Sequence, residues 1–325
     1  MEKFLYVGDL HLRGTNPRNR IGSYREDVKA KIAEVFQLAA DHAVDAILLP
    51  GDIWDSPEVT LGVMFDFAAL LEHTPVPIYT TIGNHDVYGY NLETYWRTSL
   101  RLLEKLVPRF HVIYKPEDSI RYGESTQITF EPYSAQIDIN QHGYSPQGDL
   151  ANFPGIKIHV AHGMLLDHKP PFDRYTMVQD VPTQADVILT GHEHTGYGVI
   201  KRKDGKIFCN PGALMRIKAS HAEINRRPQV ALVTVDQGKA DVKLIPLKCA
   251  KPGDEVLDRS AIDAEEKRQY AMEQFSALIK KQTGEKVILN VPQIVETIAE
   301  QEKYSPEVVK VALETIDLER EKMRA

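Results

Sequence analysis

Through the first 250 residues, short apolar runs alternate with longer stretches whose apolar positions recur at helical spacing. Strands exchanging with helices in a layered α/β fold give this pattern. Residues 4–7 and 46–49 are wholly apolar and 78–82 is apolar but for Thr80 and Thr81, which predicts buried strands. Each is followed by a loop and a helix-like stretch, so together they predict a parallel sheet. Over residues 24–42, Val28, Ile32, Val35, Phe36 and Ala39 share one face, which predicts an amphipathic helix. Beyond residue 110 the runs shorten and turn residues crowd in. Runs at 110–114, 127–130, 156–161, 187–190, 198–200, 207–209, 230–235 and 242–245 predict a second, partly antiparallel sheet packed on the first.

The cluster Lys251-Pro252-Gly253-Asp254 ends the strand pattern, and the residues beyond it are helical in character. The expected organisation is a domain over residues 1–250 and a helical extension over 251–325. Ser305-Pro306-Glu307 reads as a helix start, followed by an apolar stripe of Val309, Ala312, Leu313, Ile316 and Met323. Residues 59–71 are apolar on nearly all sides, so that helix needs a core or another subunit to cover it.

Composition narrows the function classes. No stretch approaches the roughly 18 apolar residues of a membrane span, and residues 4–7 are too short for a signal segment. A cytoplasmic location without membrane contact is expected. Cys209 and Cys249 are the only cysteines, too few for a disulfide framework or a thiolate zinc site. The net charge of -7 argues against capture of polyanions by a broadly basic surface. Most of that acidity lies in the tail, where the segment from Asp254 onward carries -5.

Five short motifs fall at the ends of predicted strands: Gly8-Asp9-Leu10-His11, Gly51-Asp52-Ile53-Trp54-Asp55, Gly83-Asn84-His85-Asp86, His162-Gly163 and Gly191-His192-Glu193-His194. Ligands of open α/β sheets gather outside the carboxyl ends of the strands, so convergence is expected. In extended backbone, residues two apart point the same way, so Asp9 with His11, and His192 with His194, are each suited to chelate one ion. Two divalent ions about 3.5–4 Å apart need a shared anionic ligand, and Asp52 is the well-placed carboxylate. Asn84 adds a neutral oxygen and His162 an imidazole. This mixed oxygen and nitrogen set suits manganese first, with iron, zinc or magnesium as alternatives. Two such ions against Asp9, Asp52 and one hydroxide leave about one net positive charge, which attracts a phosphate. His85 is placed to protonate a leaving oxygen or to stabilise the transition state, with Asp86 as a candidate orienting partner. His42, His73, His111, His142, His168 and His221 lie outside any motif, and His159 points away from the side of His162, so all seven read as structural or surface residues.

In their order and form these motifs resemble the calcineurin-like metallophosphoesterase superfamily over about residues 3–215. The resemblance implies a four-layer α/β/β/α sandwich. It also implies that Asp9, His11, Asp52 and His194 surround one ion, and Asp52, Asn84, His162 and His192 the other. The superfamily hydrolyses many esters, so the substrate must come from other features. The form Gly51-Asp52-Ile53-Trp54-Asp55-Ser56, the segment Asn210-Pro211-Gly212-Ala213-Leu214-Met215-Arg216 and the β run after it are similar to the SbcD type of DNA-repair nuclease. That resemblance implies a helical tail docking on a separate SbcC-type ATPase, and a homodimer formed by the helices after the second and third motifs. No Gly-x-x-x-x-Gly-Lys-Ser/Thr loop occurs, so ATP hydrolysis by that route falls to another protein. Arg13, Arg18, Arg20 and Arg25 follow the first motif, and Arg216, Lys218, Arg226 and Arg227 follow the Pro-Gly turn. Either group is a candidate hold on a DNA backbone, with Arg13, Arg18, Arg20 and Arg216 foremost. The leading expectation is a two-metal DNA nuclease, exonuclease or endonuclease. A stand-alone enzyme on small phosphodiesters or phosphomonoesters is the alternative, and a scaffold with a vestigial metal site the third reading.

Overall fold

The computed structural model describes residues 1–115, 117–282, 295, 298, 299 and 304–322. They divide into two compact units, Met1–Arg259 and Ser260–Ala325.

Two six-stranded sheets build the first unit. One contains β1 (Glu2–Tyr6), β2 (Ala46–Leu49), β3 (Ile78–Thr80) and β4 (Phe110–Val112), all parallel. The other contains β5 (Ser119–Tyr122), β6 (Thr126–Glu131), β7 (Ile156–His162), β10 (Val187–Gly191), β11 (Gly198–Lys201) and β12 (Ile207–Asn210), after the short pair β8 (Leu165–Leu166) and β9 (Thr176–Met177). The hairpin of β13 (Gln229–Asp236) and β14 (Lys239–Pro246) completes the first sheet, in the order β14-β13-β1-β2-β3-β4. The second sheet runs β11-β12-β10-β7-β6-β5, parallel in its centre and antiparallel at both edges.

The runs at 110–114, 230–235 and 242–245, expected in the second sheet, therefore belong to the first. The reason for the hairpin is pairing across the sequence: β13 lies antiparallel on β1, with Glu2 opposite Val235 and Tyr6 opposite Ala231, and so returns the chain to where it began.

Alternation along the central strands explains the layers. Phe4, Tyr6, Ala46 and Leu48 meet Ile128, Phe130, Ile158, Val160, Val187 and Leu189 between the sheets. Leu5, Val7, Ile47 and Leu49 point the other way, onto α1 (Tyr24–Asp41), α2 (Leu61–Glu72) and α3 (Ser99–Leu106). Helix α1 starts where the Ser23 side chain caps the Glu26 amide, and it buries Val28, Ile32, Val35 and Ala39 as the periodicity predicts. On the outer face of the second sheet, Ala161, Ile188 and Phe208 are covered by Ile137, Tyr144, Val178 and Val181. That fourth layer consists of loops, the β8–β9 pair and single 3-10 turns rather than long helices.

Residues past the Lys251–Asp254 turn still belong to the first unit. Val256 and Leu257 are buried, and the Ile21 amide donates to the Val256 carbonyl. The second unit contains the helices Ser260–Gln282 and Pro306–Lys322. In the latter Val309, Ala312, Leu313 and Ile316 are half-buried and Val308 and Val311 exposed, in line with the predicted stripe, whose Met323 lies outside the described residues. Among the described residues no helix is long and apolar enough to cross a membrane.

Candidate metal centre

The loops after β1, β2, β3, β7 and β10 meet at one edge of the two sheets. Backbone hydrogen bonds join the first two loops, since the amides of Leu10 and His11 both donate to the Asp52 carbonyl, at 3.1 and 2.9 Å. Close packing there requires glycine. A Cβ on Gly83 would lie 2.1 Å from Asp52 Oδ1, and one on Gly191 would lie 2.1 Å from Asp9 Oδ1. The backbone is also strained, with φ of +46° at His11, +47° at Asp52 and +83° at His192. Left-handed non-glycine residues of this kind concentrate at functional sites.

All seven residues expected to hold metal converge. Ligand atoms of Asp9, His11, Asp52 and His194 lie within 4.8 Å of one another, as do those of Asp52, His162 and His192. Asn84 joins the second group, its Oδ1 lying 3.0 Å from His162 Nε2. Asp52 is common to both, its Oδ2 lying 3.6 Å from His11 Nε2 and 3.4 Å from His162 Nε2. His192 and His194 fall in different groups, so the i, i+2 argument fails for that pair. The strand ends at Gly191 and the chain bends at His192, so the extended backbone on which the argument depends is absent there.

The donor set fits divalent cations. Asp9 and Asp52 are each 1% exposed, and Asp9 Oδ1 and Asp52 Oδ2 have no hydrogen-bond partner. Buried carboxylate oxygens left without a donor are costly unless a cation faces them. Burial lifts the Asp9 carboxyl to about 7, partly offset by His162. Burial would also raise Asp52, but His162 and His11 outweigh it and hold that carboxyl well below its ordinary range. Burial drives His11 and His192 to about 3 and His194 to about 4, so these imidazoles are neutral at neutral pH and available as ligands. His162 is opposed by burial but lifted to about 9 by Asp52 and Asp9. Its Nδ1 lies 3.1 Å from the Pro50 carbonyl, which can only accept, so Nδ1 keeps its proton and Nε2, facing the cluster, is the atom that would release one to a cation.

His85 stands beside the first group, its ring centre 4.9 Å from that of His11. Its amide donates to Asp52 Oδ1 at 2.8 Å, and its Nδ1 donates to the Asp55 carbonyl at 2.9 Å. Asp86, expected to orient His85, does something else: its carboxylate accepts from the amides of Trp54 (3.0 Å) and Gly83 (2.9 Å). It ties the second loop to the third, while the Asp55 carbonyl orients the imidazole.

The expected DNA contacts divide. Arg20 is buried against Asp27, and Arg216 is 3% exposed, donating to the carbonyls of Lys251 (2.9 Å) and Arg226 (2.6 Å). Neither keeps a face for a phosphate. Arg226 and Lys31 likewise serve the backbone of the Pro-Gly segment, reaching the Ala213, Met215 and Leu214 carbonyls. Through that segment the Leu214 and Ala213 amides grip the carbonyls of Asp9 and His194, both at 2.9 Å. Arg25 is paired with Asp66. Arg13, bound to Asp55 at 2.7 Å, is half-buried, and Arg18 and Lys218 are exposed. His159 is structural, as expected, with Nδ1 2.8 Å from Thr129 Oγ1 and Nε2 3.2 Å from the Gly143 carbonyl.

A cleft of about 560 Å³ opens over the cluster, lined by His11, Asp52, His85, His192, His194 and Lys218 among others. Tyr133, absent from the sequence reading, stands beside the second group with its ring centre 5.6 Å from His192 and 6.1 Å from His162. Its place two residues past the end of β6 is the signal that could have found it, since the five motifs were read from strand ends in the same way.

A family model described as calcineurin-like phosphoesterase matches residues 2–196. The chain belongs to that family. Among its relatives, the DNA double-strand break repair protein Mre11 of Aeropyrum pernix is 25% identical over 240 residues, covering 69% of this chain and 56% of that protein. The protein of the same name from Halobacterium salinarum is 24% identical over 199 residues, covering 60% of this chain and 48% of its own. This phosphoesterase chain thus spans about half the length of the curated relatives it matches. Among solved structures, the calcineurin-like phosphoesterase YfkN from Bacillus subtilis is similar with a TM-score of 0.46 at 11% identity, over 85% of this chain and 98% of that one.

Proposed function

We propose that this phosphoesterase is a two-metal phosphodiester hydrolase acting on DNA, in the repair or processing of double-strand breaks. One observation carries the metal reading: the buried Asp52 Oδ2, which accepts no hydrogen bond and lies between the His11 and His162 imidazoles, where a single carboxylate oxygen can serve two ligand groups. Asp9, His11, Asp52 and His194 hold one ion and Asp52, Asn84, His162 and His192 the other, with manganese the first choice for a thiolate-free site. Bound there, the ions supply an activated water nucleophile and neutralise charge growing on the phosphoryl oxygens. His85 does the proton work. Because Nδ1 is committed to the Asp55 carbonyl, Nε2 is the ring atom left to pass a proton to the departing sugar oxygen. The Asp52 carboxylate, through the His85 amide, sets the distance between that acid and the ions. Lys218, exposed on the cleft, and Arg18 are left to meet the phosphate backbone.

DNA as substrate is supported by the names of the two relatives and by the SbcD-type motifs. The alternative is a hydrolase of small phosphodiesters or phosphomonoesters with the same ions. Assays with manganese separate the two. Cleavage of single- or double-stranded oligonucleotides is expected, whereas turnover of an aryl phosphodiester with no DNA cleavage would leave the alternative standing.

Two assembly surfaces belong to the same reading. Leu61 and Phe65 on α2 are 68% and 65% exposed, and Leu102 and Leu106 on α3 are both 42% exposed. This apolar surface suits a second copy of the chain. Phe65→Glu is expected to turn a sedimenting dimer into a monomer, and an unchanged sedimentation coefficient would place the dimer elsewhere or abolish it. The helices beyond residue 259 are the proposed dock for an SbcC-type ATPase, tested by co-purification of the two proteins with and without residues 260–325. Equal retention would put the dock on the first unit.

A further inference from the structure

Two tyrosines without a role in the proposed hydrolysis form a ladder from solvent to the ligands of the second ion. Tyr133 follows β6, and its amide donates to the Ile82 carbonyl at 2.9 Å, fixing it to the loop that bears Asn84. Its ring stands beside His192 and His162, as given above, and the Arg174 guanidinium lies 5.7 Å from its centre. Arg174 is itself held by the carbonyls of Ser134 (2.9 Å) and Ile137 (3.1 Å), so the ring is braced on that side. Tyr90 lies outside it, its ring centre 5.9 Å from that of Tyr133 and its plane tilted by 57°, so the two rings wall a notch open to solvent.

Tyr90 is out of place by ordinary folding logic. It is 62% exposed and has φ of +60°, directly after Gly89 at +57°. A bulky residue rarely takes the left-handed conformation, and here burial offers nothing in return. The strain makes sense if the ring is needed outside the protein, against something that stacks. Bases present a π face whatever their sequence, and base–aromatic stacking tolerates every sequence. In closed duplex those faces are already covered by neighbouring pairs. The chain also carries a net charge of -7, so broad electrostatic capture of a polyanion is weak and local contacts must supply the grip.

We infer that Tyr90 and Tyr133 form a stacking platform for an unpaired nucleobase flanking the scissile phosphodiester, so that the site takes single-stranded DNA or a frayed end in preference to closed duplex. This rests on the DNA reading of the metal centre. Its specific content is that the base, rather than the phosphate, is recognised beside the second ion.

The test uses the full chain with manganese and single-stranded oligonucleotides, intact or with an abasic position on either side of the cleaved bond. Tyr90→Ala is expected to raise KM roughly tenfold on the intact strand with little change in kcat. Tyr90→Trp, which keeps an aromatic face, should stay near wild type, guarding against a folding explanation. On one of the abasic strands wild type and Tyr90→Ala should converge. If wild type cleaves an aryl phosphodiester but no DNA, the DNA reading falls and takes the platform with it. If wild type cleaves DNA and Tyr90→Ala matches it on intact strands, or closed duplex is cut as readily as single strands, the platform alone is overturned.

Discussion

His85→Ala is expected to keep its full complement of bound metal and to lose phosphodiester turnover by roughly 10²- to 10⁴-fold, the usual contribution of a positioned general acid. Metal is kept because the imidazole, which lies within 4.8 Å of ligand atoms of His11 and Asp55, belongs to neither proposed ion site, and because the contact that His85 makes to Asp52 comes from its backbone amide, which the substitution preserves. The loss should depend on the leaving group. A nitrophenolate departs without a proton, so the deficit on an aryl phosphodiester should be much smaller than on an oligonucleotide. Metal analysis beside kinetics on both substrates checks this. Equal deficits on the two, or loss of metal, would remove His85 from the role of acid.

The second large effect is at Asp52. Asp52→Ala should lose at least one ion and drop turnover by two orders of magnitude or more, on the order of 3 kcal/mol of transition-state stabilisation at least. The carboxylate has two tasks that no neighbour duplicates: Oδ2 faces both imidazole groups, and Oδ1 accepts the His85 amide. Asp52→Asn separates charge from shape, since the amide can still accept that hydrogen bond but cannot neutralise two cations. It is expected to behave like Asp52→Ala in metal content while folding like wild type. An Asn variant that retained both ions at full affinity would show that the bridge is not anionic.

Much of this was legible in the sequence because the central strands are buried on both faces. Residues such as Phe4 and Leu5 in β1, or Val187 and Ile188 in β10, face opposite cores, so the runs are apolar without alternation and easily seen. The candidate ligands at strand ends beside glycine were legible too, because Asp, Asn and His stand just past such runs, where ligands of open sheets gather. What stayed hidden depends on backbone detail or distant partners. The split of His192 from His194, which the family resemblance implied, escapes a spacing rule that assumes extended backbone, because β10 ends at Gly191. Arg20 and Arg216 looked like solvent-facing cations, but their partners, the Asp27 carboxylate and the carbonyls of Arg226 and Lys251, come near only in the folded chain. Asp86 lies next to His85 in sequence yet turns to the amides of Trp54 and Gly83, because a 3-10 turn sends neighbouring side chains in different directions.

The most direct test of the paired centre is a crystal of the full chain grown with manganese and measured for anomalous scattering. Two anomalous peaks about 3.5–4 Å apart are expected, one against Asp9, His11 and His194, the other against Asn84, His162 and His192, with Asp52 touching both. A single peak, or two peaks that do not share Asp52, would contradict the account.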